Sequence, residues 1–571
     1  MRLRSLSGMC VVSLSAAAIA FTACGSSPDK KIVPHYSEGG EGGNGGDATN
    51  NGATAGSAGS GATGGTAGSG GTGDAGAAGD TNVTPQGGAA GSGPEPMGGA
   101  GAGGDGNVVP FHGLYVGTTG SDTTGDGSAG NPFASLTKAI GIAQPGDTIV
   151  FLNGAYTAAS SALASTVIPD GVNLMAETPG GVTLTGNNNL VLLKLAGSTR
   201  IEGFKFSAFQ SVVQFVDGAT ATGTLVIKDS SFKSCASQCL SLSGSTTTSI
   251  DAAADAVLGD GTYNFAILTN QASLNVTGGV FQNFINGNIV NATDDSVVNL
   301  DGTKFLDGTS QGILLDKKAA AHLSHVTMVT QGQGLITQKG QSAVTITDSD
   351  LSMNPATSAY QCVRLEMDGL GSIALTDSKL HDCNGGFSGS LPGTLTLTRV
   401  EIYSMKFGGL DLTGGAGSSG AVVRITDSNF HDFTGGPSLR INNGANDTDI
   451  KVRGTKFINN MGANWDTVSL QTSLGSSLDF GTLAEPGGNT FANNNVNNTA
   501  LRLGSNGTAM KANAIGNTWI ASVQGADAQG HYAATGGAGA KLDIDSSSPN
   551  AVGRNYTVAY AGSHILLAQN P

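Results

Sequence analysis

The sequence predicts an all-β fold, a parallel β-helix in which short strands wind into stacked coils. Three observations lead there. One strand-and-turn pattern occurs in ten clear copies between residues 200 and 457. A further apolar–polar–apolar strand recurs in phase with it. Charged residues are only 12% of the chain and glycine reaches 90 of 571, so the polar surface must come mainly from Ser, Thr and Asn. The formal net charge of −15 argues against nucleic acid as a partner, and against electrostatic docking on anionic lipid.

Each copy is a short β run, a turn residue, then one large apolar anchor. Examples are "RIEGFKF" (200–206), "VIKDSSF" (226–232), "TITDSDL" (345–351), "RITDSNF" (424–430) and "KVRGTKF" (451–457). The anchors run Phe206, Phe232, Phe281, Phe305, Met328, Leu351, Leu380, Ile402, Phe430, Phe457, Phe491 and Trp519. Most steps are 22–29 residues, and the step of 49 from Phe232 to Phe281 hides a degenerate copy. Leucine-rich repeats share this period, but their Leu-x-x-Leu-x-Leu frame is missing. The in-phase strand reads "LKL" (193–195), "LSL" (240–242), "VRL" (363–365), "LDL" (410–412), "LRI" (439–441) and "LRL" (501–503). Strand alternation sends its outer residues to the core and its middle residue to solvent. A single coil cannot bury its own apolar face, so coils must stack. About fourteen coils at about 4.8 Å each give a rod of roughly 65–70 Å.

Two columns follow from the phase. Three residues before the anchor stands Asp or Gly in most copies, and two after it a small polar residue, such as Ser234, Asn283, Asp382 or Asp432. Both suit turns. His381-Asp382 and His431-Asp432 share the second phase with one coil between them, roughly 10 Å apart, too far for one tight metal site. They read as turn residues.

Before the repeats lies a different kind of chain. Arg2, Arg4 and the apolar run Met9–Phe21 make a signal peptide over residues 1–23. It ends in Phe21-Thr22-Ala23-Cys24, which resembles the bacterial lipobox, with Phe where Leu is usual. The resemblance implies acylation of Cys24, a lipid-anchor tether over 24–37, and export to the cell envelope, at the outer membrane or cell surface. Residues 38–106 contain 28 Gly in 69 positions and no Lys or Arg, a composition that stays disordered and serves as a linker. The folded body is then an N-terminal cap over 107–160 and the β-helix with its C-terminal cap over 161–571.

That cap begins "LYVGTTGSDTTGDGSAGNPFASLTKAIGIAQPGDTIVFLNGAYT" (114–157). Tyr115-Val116, Pro132-Phe133, Pro145-Gly146-Asp147-Thr148-Ile149 and Gly154-Ala155-Tyr156 resemble the opening of right-handed parallel β-helix proteins of the pectate-lyase-like superfamily. The resemblance covers some 44 residues; the rest matches by architecture. It implies a right-handed helix whose open end is covered by a small helical cap, here Ser135–Ala143. It implies fold far more than function, since such openings occur on polysaccharide lyases and on surface proteins of other roles.

Candidate sites come from the register. A lyase needs a base, and a cation such as calcium to neutralise the substrate carboxylate. Asp294 and Asp295 fall in register with Lys317 and Lys318 one coil on, beside Asp316. This makes Lys317 and Lys318 catalytic candidates and Asp294, Asp295 and Asp316 metal candidates, against an inter-coil ion pair. Asp122 and Asp126 in "SDTTGDG" (121–127) form a weaker calcium candidate. The solvent-facing stripe Arg364, Ser388, Asp411, Arg440, Ser469 and Arg502 offers guanidinium groups for carboxylates or sugar hydroxyls, against an Asp411–Arg440 ion pair on a solvated face. No nucleophile elbow, P-loop or dinucleotide fingerprint occurs in a fitting context. Apart from a possible calcium, no cofactor is expected. Two functions remain. One is a surface lipoprotein that binds carbohydrate or builds the envelope, held to the membrane through its lipid alone. The alternative is a polysaccharide lyase or related enzyme acting on acidic polysaccharide. Finally, phase pairs the cysteines. Cys235 and Cys239 meet within one turn, and Cys362 and Cys383 lie about one coil, near 5 Å, apart, which predicts bridges Cys235–Cys239 and Cys362–Cys383.

Overall fold

The computed structural model describes residues 113–520 apart from short gaps, and the later strands Tyr532–Ala533, Lys541–Ile544, Tyr556–Ala561 and His564–Gln569. The expected signal peptide, Cys24, the expected tether and the Gly-rich segment 38–106 lie outside the described residues. Among the described residues no helix is long and apolar enough to cross a membrane.

The chain is all-β, a parallel β-helix with three sheets of 16, 15 and 16 strands. Each coil visits them in one order. In one coil, Thr199–Glu202 lies in the first sheet, Phe204–Ser207 in the second and Ser211–Phe215 in the third. Each strand pairs in parallel with its counterpart one coil away. The sheets hold more strands than the fourteen coils expected. Gly113–Val116 pairs with Thr148–Phe151 at one end and Lys541–Ile544 with Leu501–Leu503 at the other, both outside the anchor pattern.

The corners explain two columns of the sequence. The residue three before each anchor is left-handed: Asp229 (φ 47°), Asp348 (46°), Asp377 (51°), Asp427 (50°), Gly278 (69°) and Gly454 (57°). So is the residue two after most anchors: Ser234 (54°), Asn283 (57°), Asp382 (57°), Asp432 (59°) and Asn459 (56°), while Met353, two after Leu351, stays within the strand Asp350–Met353. Two sharp bends therefore carry the chain from the first sheet to the second and out of it. Asp and Asn reach this region more easily than branched residues because their short side chains bond locally. Asp348→Val should cost about 1 kcal/mol and Asp348→Gly far less. Urea denaturation of both variants checks this, and equal costs would refute the left-handed requirement. Arg399 and His325 occupy the same corner at φ 53° and 52°. Each is tied to a carboxylate of the preceding coil, Arg399 to Asp377 at 2.5 and 2.6 Å and His325 to Asp301 at 2.9 Å.

Immediately after the first bend a buried Ser, Thr or Asn recurs. Ser349 Oγ accepts from the Val326 amide, Ser378 Oγ from Ser349, Ser428 Oγ from Val400, and Asn517 Oδ1 from Asn489, at 3.0–3.1 Å. This ladder satisfies backbone donors that the sharp corner leaves outside the sheets.

Inside, the anchors form one continuous column of the second sheet. Phe206 stacks on Phe232 with centroids 5.1 Å apart, and Phe457 lies between Phe430 and Phe491 at 5.2 and 5.0 Å. The degenerate copy proves to be Gly259, in register with Phe232 and Phe281. A Cβ at Gly259 would lie 2.9 Å from the Phe281 ring, and Phe265 of the third sheet packs between Phe232 and Phe281, at 5.5 and 4.6 Å.

The cap helix spans Leu136–Ile140, shorter than the expected 135–143, with Ser135 as N-cap. Asp122 accepts from Ala134 N, Ser135 N and Ser135 Oγ at 2.9, 3.0 and 2.6 Å, so it braces the helix start. Leu136 and Ala139 are buried with Phe133 and Val116 over the first coil. The buried Tyr156 hydroxyl lies 2.7 Å from the Leu152 carbonyl and 3.0 Å from that of Val116; burial first, then Glu177, pushes its pKa up to about 12. Cys235 is bridged to Cys239 and Cys362 to Cys383, with Cα separations of 5.3 and 5.6 Å.

Candidate functional site

The outer face of the third sheet carries the most distinctive surface. Register aligns Arg364, Ser388, Asp411, Arg440, Ser469 and Arg502 in one column, one residue per coil. Their inward neighbours, such as Leu410, Leu412, Leu439 and Ile441, are fully buried, which aims the column at solvent. Arg440 holds Asp411 in a two-pronged ion pair, Nε–Oδ1 and Nη2–Oδ2 both 2.6 Å. Arg364 pairs with Glu366 at 2.5 Å and Lys339 with the same carboxylate at 3.0 Å. The Arg502 side chain lies outside the described residues.

Along one edge of this column stand exposed aromatic rings. Tyr360 is 42% exposed, Phe407 65% and Trp465 44%. Each lies three residues before the first inward residue of its strand, Val363, Leu410 and Val468, as does Tyr263 before Ala266. On the intervening coils that position holds Asn384 and Gly436. Backbone bonds stack the turn, Asn384 N to Tyr360 O at 2.9 Å and Phe407 N to Asn384 O at 2.6 Å. The rings thus fall on alternate coils, roughly 10 Å apart. The Arg440 guanidinium lies 4.7 Å from the Trp465 ring centroid, joining the aromatic edge to the charged column. At the opposite edge, a depression of about 480 Å³ is lined by Glu366, Met367, Ser390 and Thr413. Gly389, which also lines it, has no room for a side chain, because a Cβ there would meet the Leu365 carbonyl oxygen at 2.0 Å. Sequence reasoning found the charged column and missed the rings. The signal was present, as a bulky–small alternation at one phase of the repeat.

The candidate catalytic and metal residues form a different arrangement. Lys317 Nζ bonds Asp294 Oδ1 at 2.5 Å, and the Lys317 amide bonds Asp316 Oδ1 at 2.7 Å. Asp294 and Lys317 are both left-handed turn residues, at φ 62° and 57°. The hydrogen bond that Lys317 Nζ donates to Asp294 raises the Lys317 pKa above its ordinary value, away from the neutral amine a base requires. Lys318 contributes its amide to the Asp294 carbonyl at 3.0 Å. Among the described residues no three His, Cys, Asp or Glu side chains converge as metal ligands, at Asp294, Asp295 and Asp316 or elsewhere. In the loop of Asp126, the side-chain and backbone hydrogen bonds of Ser128 lower that carboxyl's pKa.

On the second sheet, His381 and His431 sandwich Tyr403, with centroids 4.7 and 5.1 Å apart and near-parallel rings. His381 reaches Asp350 at 2.8 Å and Asp382 at 2.7 Å; His431 reaches Glu401 at 3.1 Å and Asp432 at 2.7 Å. Asp382 and Asp432 are the turn residues expected, whereas His381 and His431, also expected in turns, end the strands Lys379–His381 and Asn429–His431. Burial first, then Asp350, Glu401 and Asp382, raises the Tyr403 pKa, while the hydrogen bond from His431 lowers that of Asp432. Both nitrogens of each imidazole face carboxylates, so the stack clamps three coils and leaves no ring nitrogen open to a substrate.

The fold and its decorated face define a solenoid of the parallel β-helix class. Residues 118–306, about a third of the chain, match the family described as "Protein of unknown function (DUF1565)". No curated protein matches. Solved structures that the chain is similar to include pectin methylesterase PemA from Erwinia chrysanthemi, at 11% identity and TM-score 0.21, covering 55% of this chain and 93% of that one. A mannuronic acid specific polysaccharide family 6 lyase from human gut microbiota gives 13% and 0.24, with 66% and 79% covered. Pectate lyase Pel9A gives 12% and 0.15, with 66% and 74% covered.

Proposed function

We propose that this chain is an exported, lipid-anchored β-helix that binds polysaccharide along the outer face of its third sheet. The observation that carries the reading is the edge of exposed rings beside the Arg364–Asp411–Arg440 column. Exposed rings gathered along one edge, beside charged groups, suit a ligand-binding surface. An aromatic face stacks on the apolar face of a sugar, and the guanidinium and carboxylate groups beside it satisfy hydroxyl or carboxylate oxygens. Spacing on alternate coils suits an extended polymer that meets a ring at every second or so sugar. In this reading the anchor is Cys24, and the Gly-rich composition of residues 38–106 suits a linker between it and the β-helix.

Two experiments test this. In affinity electrophoresis with pectate or alginate and calcium, the full chain should be retarded, and Trp465→Ala should weaken retardation about tenfold without shifting Tm. Retardation equal to wild type overturns the face. Appearance of unsaturated products in the same mixtures would replace binding by lyase chemistry. In cells, Cys24→Ser should abolish incorporation of labelled fatty acid and release the protein from the membrane fraction; an acylated, membrane-bound variant refutes the anchor.

A further inference from the structure

A second cavity, of about 230 Å³, runs along the outer face of the first sheet and is built from other residues. Four successive strands form its floor: Ser273–Thr277, Val297–Asp301, Ala320–Ser324 and Ala343–Thr347. Register aligns Asn275, Asn299, His322 and Thr345 in one wall, and Asp301, Ser324 and Thr347 in the other. The groove therefore follows the rod for three coil spacings, roughly 14 Å. Its groups are amides, hydroxyls, an imidazole and one carboxylate, with no Lys or Arg in the lining. Asn299 Nδ2 donates to Asn275 Oδ1 at 2.6 Å, which fixes both amides and leaves the Asn275 amide hydrogens and the Asn299 oxygen facing the groove. His325 Nδ1 lies 2.9 Å from Asp301 Oδ1 and 2.8 Å from Ser324 Oγ, which ties this carboxylate into the second wall. The hydrogen bond with His325 also lowers the Asp301 pKa, so the group stays a carboxylate through neutral pH.

A wall of mixed donors and acceptors without a fixed cation does not suit an anionic ligand. It suits one rich in neutral hydroxyls, each of which donates and accepts at once. We propose that this groove is a second carbohydrate site, for a neutral oligosaccharide lying along the rod. Its chemistry differs from that of the arginine-bearing third sheet, and the two faces together would let one rod bridge two different glycans. This inference uses none of the residues of the third-sheet face and stands or falls separately from it.

The test uses the full chain, with its imidazole nitrogens observed by NMR during titration with cellohexaose, mannohexaose and maltohexaose. Trigalacturonate serves as the acidic counter-probe. At least one neutral hexaose should shift the His322 and His325 signals while leaving those of His381 and His431 in place. Asn299→Ala should weaken that binding about tenfold, and Trp465→Ala should not change it. If no neutral hexaose moves His322 or His325, or Asn299→Ala binds as tightly as wild type, the groove is not a carbohydrate site. Trigalacturonate shifting the same signals as strongly would overturn the neutral specificity. Binding of a neutral hexaose with no uronate binding anywhere would retain the groove and sink the third-sheet reading.

Discussion

Phe457→Ala should destabilise the solenoid by about 3–5 kcal/mol, close to the upper range for a buried aromatic truncation. Phe457 is fully buried, and its ring is stacked on both sides, by Phe430 and Phe491. The cost of such a truncation depends on whether neighbours can collapse into the space. Here they cannot move along the rod, because the ladder Phe430–Phe457–Phe491 is held at coil spacing by parallel strand pairing on both sides. Phe457→Leu refills most of the volume and should cost less than half as much. Urea denaturation followed by far-UV circular dichroism distinguishes the two. A midpoint for Phe457→Ala within error of wild type would mean that the coils near the anchor unfold independently of the signal measured, contrary to a continuous core.

Arg453→Ala should cost a similar amount, about 3–5 kcal/mol, for an electrostatic reason. Arg453 is 9% exposed, at the end of a first-sheet strand. Its Nη1 donates to the Val452 and Asp479 carbonyls at 2.9 Å each, and its Nη2 to Asp479 Oδ2 at 2.6 Å. Truncation strips the guanidinium donors from the Asp479 carbonyl and from Asp479 Oδ2, and leaves the Val452 carbonyl with Asn489 Nδ2 at 3.1 Å. Much of the loss comes from that stranded charge. Arg453→Met combined with Asp479→Asn removes both charges and keeps the acceptor for the Gly481 amide, which Asp479 Oδ1 holds at 2.9 Å. The double variant should therefore recover most of the stability lost in Arg453→Ala. Equal destabilisation of the two would show that packing of the guanidinium, not its charge, is what matters.

Much of this architecture is legible in the one-dimensional phase. The Asp and Gly three before each anchor and the Asn, Ser and Asp two after it mark left-handed corners, because few other residues reach φ near 50° at low cost. The alternation in "VRL", "LDL" and "LRI" orders Arg364, Asp411 and Arg440 on one solvent face, since strand side chains alternate with a period of two. Phase likewise brings Cys362 beside Cys383. The chain alone thus determined the coil, its corners, its inward and outward columns and the order of residues along each column.

What it left open is which side chains meet across or between those columns. Gly259 looked like a broken repeat, yet the space it leaves takes Phe265 from another sheet, a contact set by the cross-section of the coil and by no spacing along the chain. Tyr403 is unremarkable in "VEIYSM", and only stacking places it between His381 and His431. Asp294 and Lys317 shared a phase that fitted either a catalytic cluster or an ion pair. The tertiary structure shows the ion pair itself, because both residues sit in left-handed turns one coil spacing apart and Lys317 Nζ reaches Asp294 Oδ1. Phase fixes position along a coil to one residue; the reach of a side chain and the width of the core are three-dimensional quantities, and they settle the contacts.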